Sequence, residues 1–160
     1  MSLLRFLMLL SLVVWVGGLI FFAFVLAPTV FHPGILPARQ FAGNVVNRSL
    51  AIMHWMGLIC GIVFAASSMI DARVVDGAAH PFALRNLLIY AMIVLTLVAM
   101  FGIASRMMVL RNQMGFIDNF PPDDARRVEF NRLHVWSTRV EGAVMLLGLV
   151  LVYATARRMG

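Results

Sequence analysis

Long apolar runs alternate with short polar stretches along this chain, and three of the runs are long enough to cross a membrane without interruption. A hydrocarbon core of about 30 Å requires about 20 helical residues. Residues 6–27 and 86–105 contain no acidic or basic side chain, and residues 49–70 contain only His54. The pattern predicts three transmembrane helices.

A fourth apolar run, residues 135–156, contains Arg139 and Glu141. Its uncharged part, residues 142–156, is about 22 Å of helix, which is too short to span the core. If this segment crosses the membrane, Glu141 therefore lies about one turn below the headgroups. The Pro122-Asp123-Asp124 sequence predicts that the helix begins well before His134, because proline and carboxylates favour a helix start.

The predicted fold class is all-α: a polytopic integral membrane protein with four transmembrane helices in a single up-down bundle. We expect one domain, residues 1–160, with helices at about residues 3–30, 49–70, 84–110 and 122–157. Both termini then lie on one side, called X here, and the first and third loops lie on the other side, Y.

Composition supports the membrane interpretation. Hydrophobic residues make up 62% of the chain, charged residues only 12%, and the mean hydropathy is +0.92. This leaves too little polar surface for a soluble domain. The single cysteine, Cys60, excludes a disulfide scaffold.

The net charge of +6 comes from arginines that lie between the apolar runs. This placement favours lipid headgroups over nucleic acid as their partners. Eight arginines fall near side Y and five on side X. The larger number favours Y as the cytoplasmic side, whereas the higher density in the short X loops favours X, so both orientations remain open.

Helical periodicity assigns the polar residues to faces. In the second helix His54 shares a face with Gly57 and Gly61, a G-x-x-x-G step that lets another helix approach. In the fourth helix Glu141 shares a face with His134 and Gly148, while Arg139 points away and can reach the headgroups. The glycines predicted to pack against helices are Gly17, Gly18, Gly57, Gly61, Gly102 and Gly148.

Alternating helix directions bring four polar residues to the Y end of the bundle: His54, Arg106, His134 and Glu141. One interpretation is structural, an ion pair between Glu141 and Arg106 with two histidines at the headgroup boundary. The other is a ligand or proton site, because ionisable residues inside a membrane are costly and commonly functional.

Two cofactor alternatives use the same region. His54 and His134 on separate helices could supply the two axial ligands of haem b. The Met53-His54-Trp55-Met56 sequence offers thioether and imidazole ligands that suit Cu(I). No nucleotide-binding, zinc-protease or paired-cysteine motif is present, and we assign no catalytic residue. Trp15 and the other tryptophans are expected to be interfacial anchors.

Three stretches resemble a known family: WVGGLIFFAFVLAP at 15–28, PPDD at 121–124 and RLHVWS at 132–137. They are similar to sequences of bacterial small membrane proteins of the transmembrane-protein-205-like family. The resemblance implies a four-helix membrane protein with no settled biochemical activity. The Trp-x-Gly-Gly start is also weakly similar to copper-resistance membrane domains.

We therefore expect a multi-pass protein of a bacterial inner membrane that is not an enzyme and serves as an accessory or interaction subunit. Its expected partners are the lipid bilayer and either another membrane protein or a second copy, not nucleic acid. No cofactor is expected in this interpretation. A haem- or copper-binding redox protein and a small transporter are the alternatives.

Overall fold

Four long helices account for most of the molecule. The structure, a computed structural model, describes residues 2–159, apart from the side chains of Arg39, Asp118, Arg158 and Met159. Within this range there is no strand. The helices are α1 (Ser2–Val30), α2 (Arg39–Asp76), α3 (Leu84–Met114) and α4 (Ala125–Met159), with a 3-10 turn at Ile117–Asn119. All four are long and apolar enough to cross a membrane, which confirms the predicted fold class.

The helices extend beyond the apolar runs that predicted them. α2 begins at Arg39 and ends at Asp76, where 49–70 was expected, and Gly77 closes it in a left-handed conformation with φ of 73°. Hydropathy marks only the part of a helix that lies in lipid, whereas backbone hydrogen bonding continues into water. α4 begins at Ala125 and continues unbroken past His134, as predicted.

Two helices contain π-helical segments that the sequence analysis did not predict. In α1 the segment is Phe22–Leu26, where the Ala27 N–H donates to the Phe22 carbonyl five residues earlier. In α3 it is Val98–Ala104. Such segments are rare and often occur at functional sites.

The helices form an up-down bundle in which each packs against two neighbours. α1 and α3 each contact both α2 and α4, so α2 and α4 face each other across the diagonal. The core is apolar and draws on all four helices, with Leu12, Phe64, Met92 and Val144 among its fully buried side chains.

Close approach of the helices depends on three glycines. A Cβ at Gly57 would lie 2.4 Å from Trp15 Nε1, and one at Gly61 would lie 2.8 Å from Ile93 Cγ1. Trp15 is thus a buried core residue, and its predicted role as an interfacial anchor is wrong, because the glycines of α2 leave room for the indole.

Gly148 also packs closely, since a Cβ there would lie 2.6 Å from Val16 Cγ2. The other three predicted packing glycines behave differently. Apart from the adjacent residues and the nearby backbone of the same helix, no described atom lies within 4 Å of a Cβ built at Gly17 or Gly18. Gly102 meets only Val98 of its own helix, at 4.0 Å. These three glycines face outward and do not pack within the chain.

A second, smaller apolar cluster lies at the Y end, where α3 and α4 extend past the predicted spans. Leu110, Met114 and Phe130 are buried there. Arg111 extends from this cluster to α2, where its Nη1 donates to Asn44 Oδ1 at 3.0 Å. These contacts hold the three extended helix ends together outside the main core.

Candidate functional site

The most buried ionisable contact in the spanning region joins His54 of α2 to Glu141 of α4. The distance from His54 Nε2 to Glu141 Oε1 is 2.6 Å. Only 4% of the His54 side chain and 17% of the Glu141 side chain are exposed. The contact crosses the diagonal of the bundle, where only long side chains can meet. Both residues were predicted to face inward at the Y end.

Contacts between neighbouring antiparallel helices fix the level of this pair. Ser68 of α2 bonds to Asn86 of α3. His54 is fourteen residues before Ser68, so it lies beside the residue about fourteen after Asn86, near position 100. Gly148 of α4 packs against Val16 and Met92. Glu141, seven residues earlier, therefore lies beside positions about 23 and 99 of α1 and α3.

These positions coincide with the π-helical segments. Position 23 is inside Phe22–Leu26, and positions 99 and 100 are inside Val98–Ala104. The two helices that flank the diagonal pair are therefore both π-helical at its level. Extra residues in a turn widen and bend a helix locally, and such turns recur at functional sites.

Arg106 does not reach Glu141, so the predicted ion pair between these two residues is wrong. Its Nε donates instead to Glu129 Oε1 at 2.9 Å, and its Nη2 donates to Glu129 Oε2 at 3.2 Å. The physical reason is that Arg106 and Glu141 lie at different levels along the bundle axis. Arg106 lies about two turns nearer the Y end than the level of Glu141, where the start of α4 presents Glu129. Both side chains are partly exposed, so this contact contributes little to stability.

His134 also stays outside the pair. It is exposed and lies seven residues before Glu141 on α4, about 10 Å along the helix. The structure therefore does not bring the imidazoles of His54 and His134 to a common level, as two axial haem ligands require. In the proposed copper motif, His54 is buried whereas Met56 is exposed, so their side chains do not point toward a common site.

A group of three or more His, Cys, Asp or Glu side chains that could hold a metal ion does not occur among the described residues. His54 and Glu141 form a hydrogen bond between an imidazole and a carboxyl group, and such a pair can exchange a proton. One proton lies between the two side chains, donated by the imidazole N–H or by the carboxyl O–H.

A second buried polar group, at the X end, was missed by the sequence analysis. We call it the X-end layer, and it consists of Ser68 and Asp71 of α2 with Arg85 and Asn86 of α3. The Ser68 hydroxyl donates to Asn86 Oδ1 at 2.7 Å, and Arg85 Nη2 donates to the Ser68 carbonyl at 3.0 Å. All four residues are buried. Asp71 also faces Arg5 of α1, with Nε to Oδ1 at 3.8 Å.

The sequence signal for this layer was present but ambiguous. Ser68 and Asp71 are three residues apart and so share a helical face. However, Asp71 lies just past the predicted end of the second helix at residue 70, and Arg85 and Asn86 stand at the edge of an apolar run, where polar residues ordinarily meet the headgroups. Only the continuation of α2 to Asp76 turns Asp71 into the bundle.

The two polar groups are separated by the apolar core. His54 and Asp71 are seventeen residues apart on α2, or about 25 Å. Between them the bundle is filled by side chains such as Leu12, Phe64 and Met92. Two cavities in the described part of the molecule lie elsewhere, one against residues 79–83 and the other against residues 30–42. The two polar groups therefore lie at opposite ends of the apolar core.

Comparison with known proteins assigns a family but no activity. None of the curated proteins matches this chain, and none of the solved structures does. The resemblance to the transmembrane-protein-205-like family stays a prediction, because the matching family model carries no such link. That model covers most of α1, all of α2 and all of α3, so it includes His54 and the X-end layer but not Glu141. The chain belongs to the family described as a domain of unknown function, DUF4149, whose model matches residues 10–115.

Proposed function

We propose that this chain is a non-enzymatic accessory protein of a bacterial inner membrane that acts by lateral association with another membrane protein or with a second copy of itself. The observation that carries the proposal is the outward position of Gly17, Gly18 and Gly102 in membrane-spanning helices.

An outward glycine in a helix needs a physical explanation. Glycine costs about 1 kcal/mol relative to alanine in a helix interior. Gly57, Gly61 and Gly148 offset this cost through close helix contacts inside the bundle. Gly17 and Gly18 make no such contact with the described residues. In membranes, small residues on a helix surface are typical of contacts with another helix, because they let two backbones approach.

The interior of the bundle supports the same proposal. Its apolar side chains pack tightly between the His54–Glu141 pair and the X-end layer. A packed core of this kind is suited to a structural subunit that presents its outer surface to a partner.

The proposal is tested by enlarging an outward glycine. Gly17→Leu should reduce the yield of the larger complex, or of the homo-oligomer, that mild detergent extracts from the membrane. The matched control is Val13→Leu, one turn earlier on the same face, where the native side chain is already bulky and 68% exposed. Complex size is measured by native electrophoresis and by cross-linking in membranes.

The expected result is loss of the complex in Gly17→Leu and its retention in Val13→Leu, with equal amounts of both variants in the membrane. A protein that runs as a monomer in several mild detergents and in nanodiscs would contradict the proposal. Equal complex formation by both variants would contradict the role of the outward glycine.

A further inference from the structure

We propose that His54 and Glu141 form a proton-binding site that opens toward side Y and controls how closely α2 and α4 approach each other. The π-helical segments of α1 and α3 accommodate the resulting movement. This inference uses the interior of the bundle and does not depend on lateral association.

The pair has one electrically neutral state. The net charge is zero when the site holds an imidazole and a carboxylic acid, or an imidazolium and a carboxylate, which is one proton more than an imidazole and a carboxylate carry. Gain of a further proton gives a net charge of +1, and loss of one proton gives −1, the charge of an imidazole beside a carboxylate. A net charge in an apolar interior is unfavourable unless water or an opposite charge reaches it.

The flanking helices supply no opposite charge. Residues 18–26 of α1 and 97–105 of α3 contain no acidic or basic side chain. These two stretches include both π-helical segments and lie at the level of the pair. A charged form of the pair must therefore be hydrated, and hydration requires α2 and α4 to move apart.

The remaining charged groups nearby are directed elsewhere. On α4, Arg139 and His134 are both exposed. On α2, Arg48 is exposed and lies six residues from His54 toward Y, about 9 Å. On α3, Arg106 binds Glu129. The pair is therefore the only inward ionisable contact that the described part of the chain has at this level.

Water has a shorter route to the pair from Y than from X. The X-end layer begins about 21 Å away through the apolar core, whereas Arg48 marks a charged position about 9 Å away on the Y side. The Glu141 side chain keeps 17% of its surface exposed, and that of His54 keeps 4%. Glu141 is therefore the more accessible member of the pair.

The π-helical segments provide the compliance that such a movement needs. Each contains a turn with more residues than an α-helical turn, and such turns are among the places where helices kink. Both segments lie beside the pair and not beside the X-end layer. Movement is therefore expected at the Y end of the bundle, with the X end fixed.

The test measures helix separation at both ends as the pH changes. Spin labels at Ile52 of α2 and Thr138 of α4, both exposed, report on the Y end. Labels at Ile70 and Tyr153, also exposed, report on the X end. Cysteine labelling uses a Cys60→Ala background, and distances are measured by pulsed electron paramagnetic resonance in nanodiscs between about pH 8 and 5, where an imidazole changes charge.

Protonation of the imidazole beside the carboxylate takes the net charge of the pair from −1 to zero, so acidification should shorten the Y-end distance and leave the X-end distance unchanged. Glu141→Gln keeps the size of the side chain but cannot bind the proton, so it should abolish the change. His134→Gln removes an exposed histidine of the same helix and should leave the change intact.

The proposal fails if the Y-end distance does not depend on pH, if both ends change together, or if His134→Gln abolishes the response. If Glu141→Gln does not fold, nuclear magnetic resonance of the ¹⁵N-labelled imidazoles in the unmodified protein decides. The His54 signal must change over the same pH range as the distance, and a different range overturns the proposal.

Discussion

Gly148→Ala should destabilise the bundle, whereas Gly142→Ala on the same helix should stabilise it. The two changes add the same methyl group to α4, six residues apart. They differ in what that methyl group meets. At Gly148 it would lie 2.6 Å from Val16 Cγ2 and 3.2 Å from Met92 Cε, whereas at Gly142 no described atom lies within 4 Å.

The size of the difference follows from packing distances. Carbon atoms in favourable contact lie about 3.5–4.0 Å apart, so the methyl group at Gly148 would be about 1 Å too close to Val16. Valine has few χ1 alternatives in a helix and cannot easily turn away. Overpacking of this kind costs about 1–3 kcal/mol. Replacing glycine by alanine in a helix interior contributes about 1 kcal/mol of stability at both sites.

The propensity gain cancels when the two variants are compared. The free energy of unfolding should therefore be about 1–3 kcal/mol lower for Gly148→Ala than for Gly142→Ala. It is measured by reversible unfolding with SDS in mixed micelles, followed by tryptophan fluorescence. Val16→Ala removes the obstructing carbon, so adding it to Gly148→Ala should cost less than the two single changes together.

Equal free energies of unfolding for the two glycine variants would refute the packing argument. So would strict additivity of Gly148→Ala and Val16→Ala, because it would show that these side chains do not meet. Either result would place α4 farther from α1 than the structure has it.

Two further predictions concern the X-end layer and the start of α4. Ser68→Ala removes the hydroxyl that donates to the buried Asn86 amide oxygen, and should lower the free energy of unfolding by about 1–3 kcal/mol in the same assay; an unchanged value would contradict the bond. Asp124 accepts hydrogen bonds from the guanidinium and from the backbone N–H of Arg126, which hold the pKa of its carboxyl below the usual range. A lowered folded-state pKa stabilises the protein above the ordinary aspartate pKa of about 3.9, and this contribution is lost as the pH falls through the lowered value. Asp124→Ala should therefore lower the melting temperature at neutral pH and approach wild type in acid, whereas Asp123→Ala should do neither. Equal effects of the two variants would contradict the role of the Asp124–Arg126 contacts.

The local pattern of apolar and polar residues was sufficient to predict the architecture. The lengths of the apolar runs predicted four membrane-spanning helices, and the helical spacing predicted that His54 and Glu141 face inward. These properties depend on residues close together in the chain. Hydropathy did not predict the outer parts of the helices, because a helix in water no longer needs an apolar sequence.

The tertiary structure determined which side chains Arg106 and Glu141 contact. The sequence placed Arg106 and Glu141 at the same end of the bundle, and opposite charge made them a reasonable pair. Their levels differ by about two turns, so Arg106 meets Glu129, and Glu141 meets His54 across the diagonal. Relative helix height is set by packing between helices, which no local pattern encodes.

The roles of the glycines and of the X-end layer were decided in the same way. Gly57 and Gly148 pack inside while Gly17 faces outward, although all three are glycines in apolar helices. Asn86 stands at the edge of an apolar run, yet it is fully buried against Ser68. The sequence determined which residues lie in the membrane and which share a helical face. The rotation and height of each helix against its neighbours determined which of them meet, because each contact depends on the positions of two helices and not on either one alone.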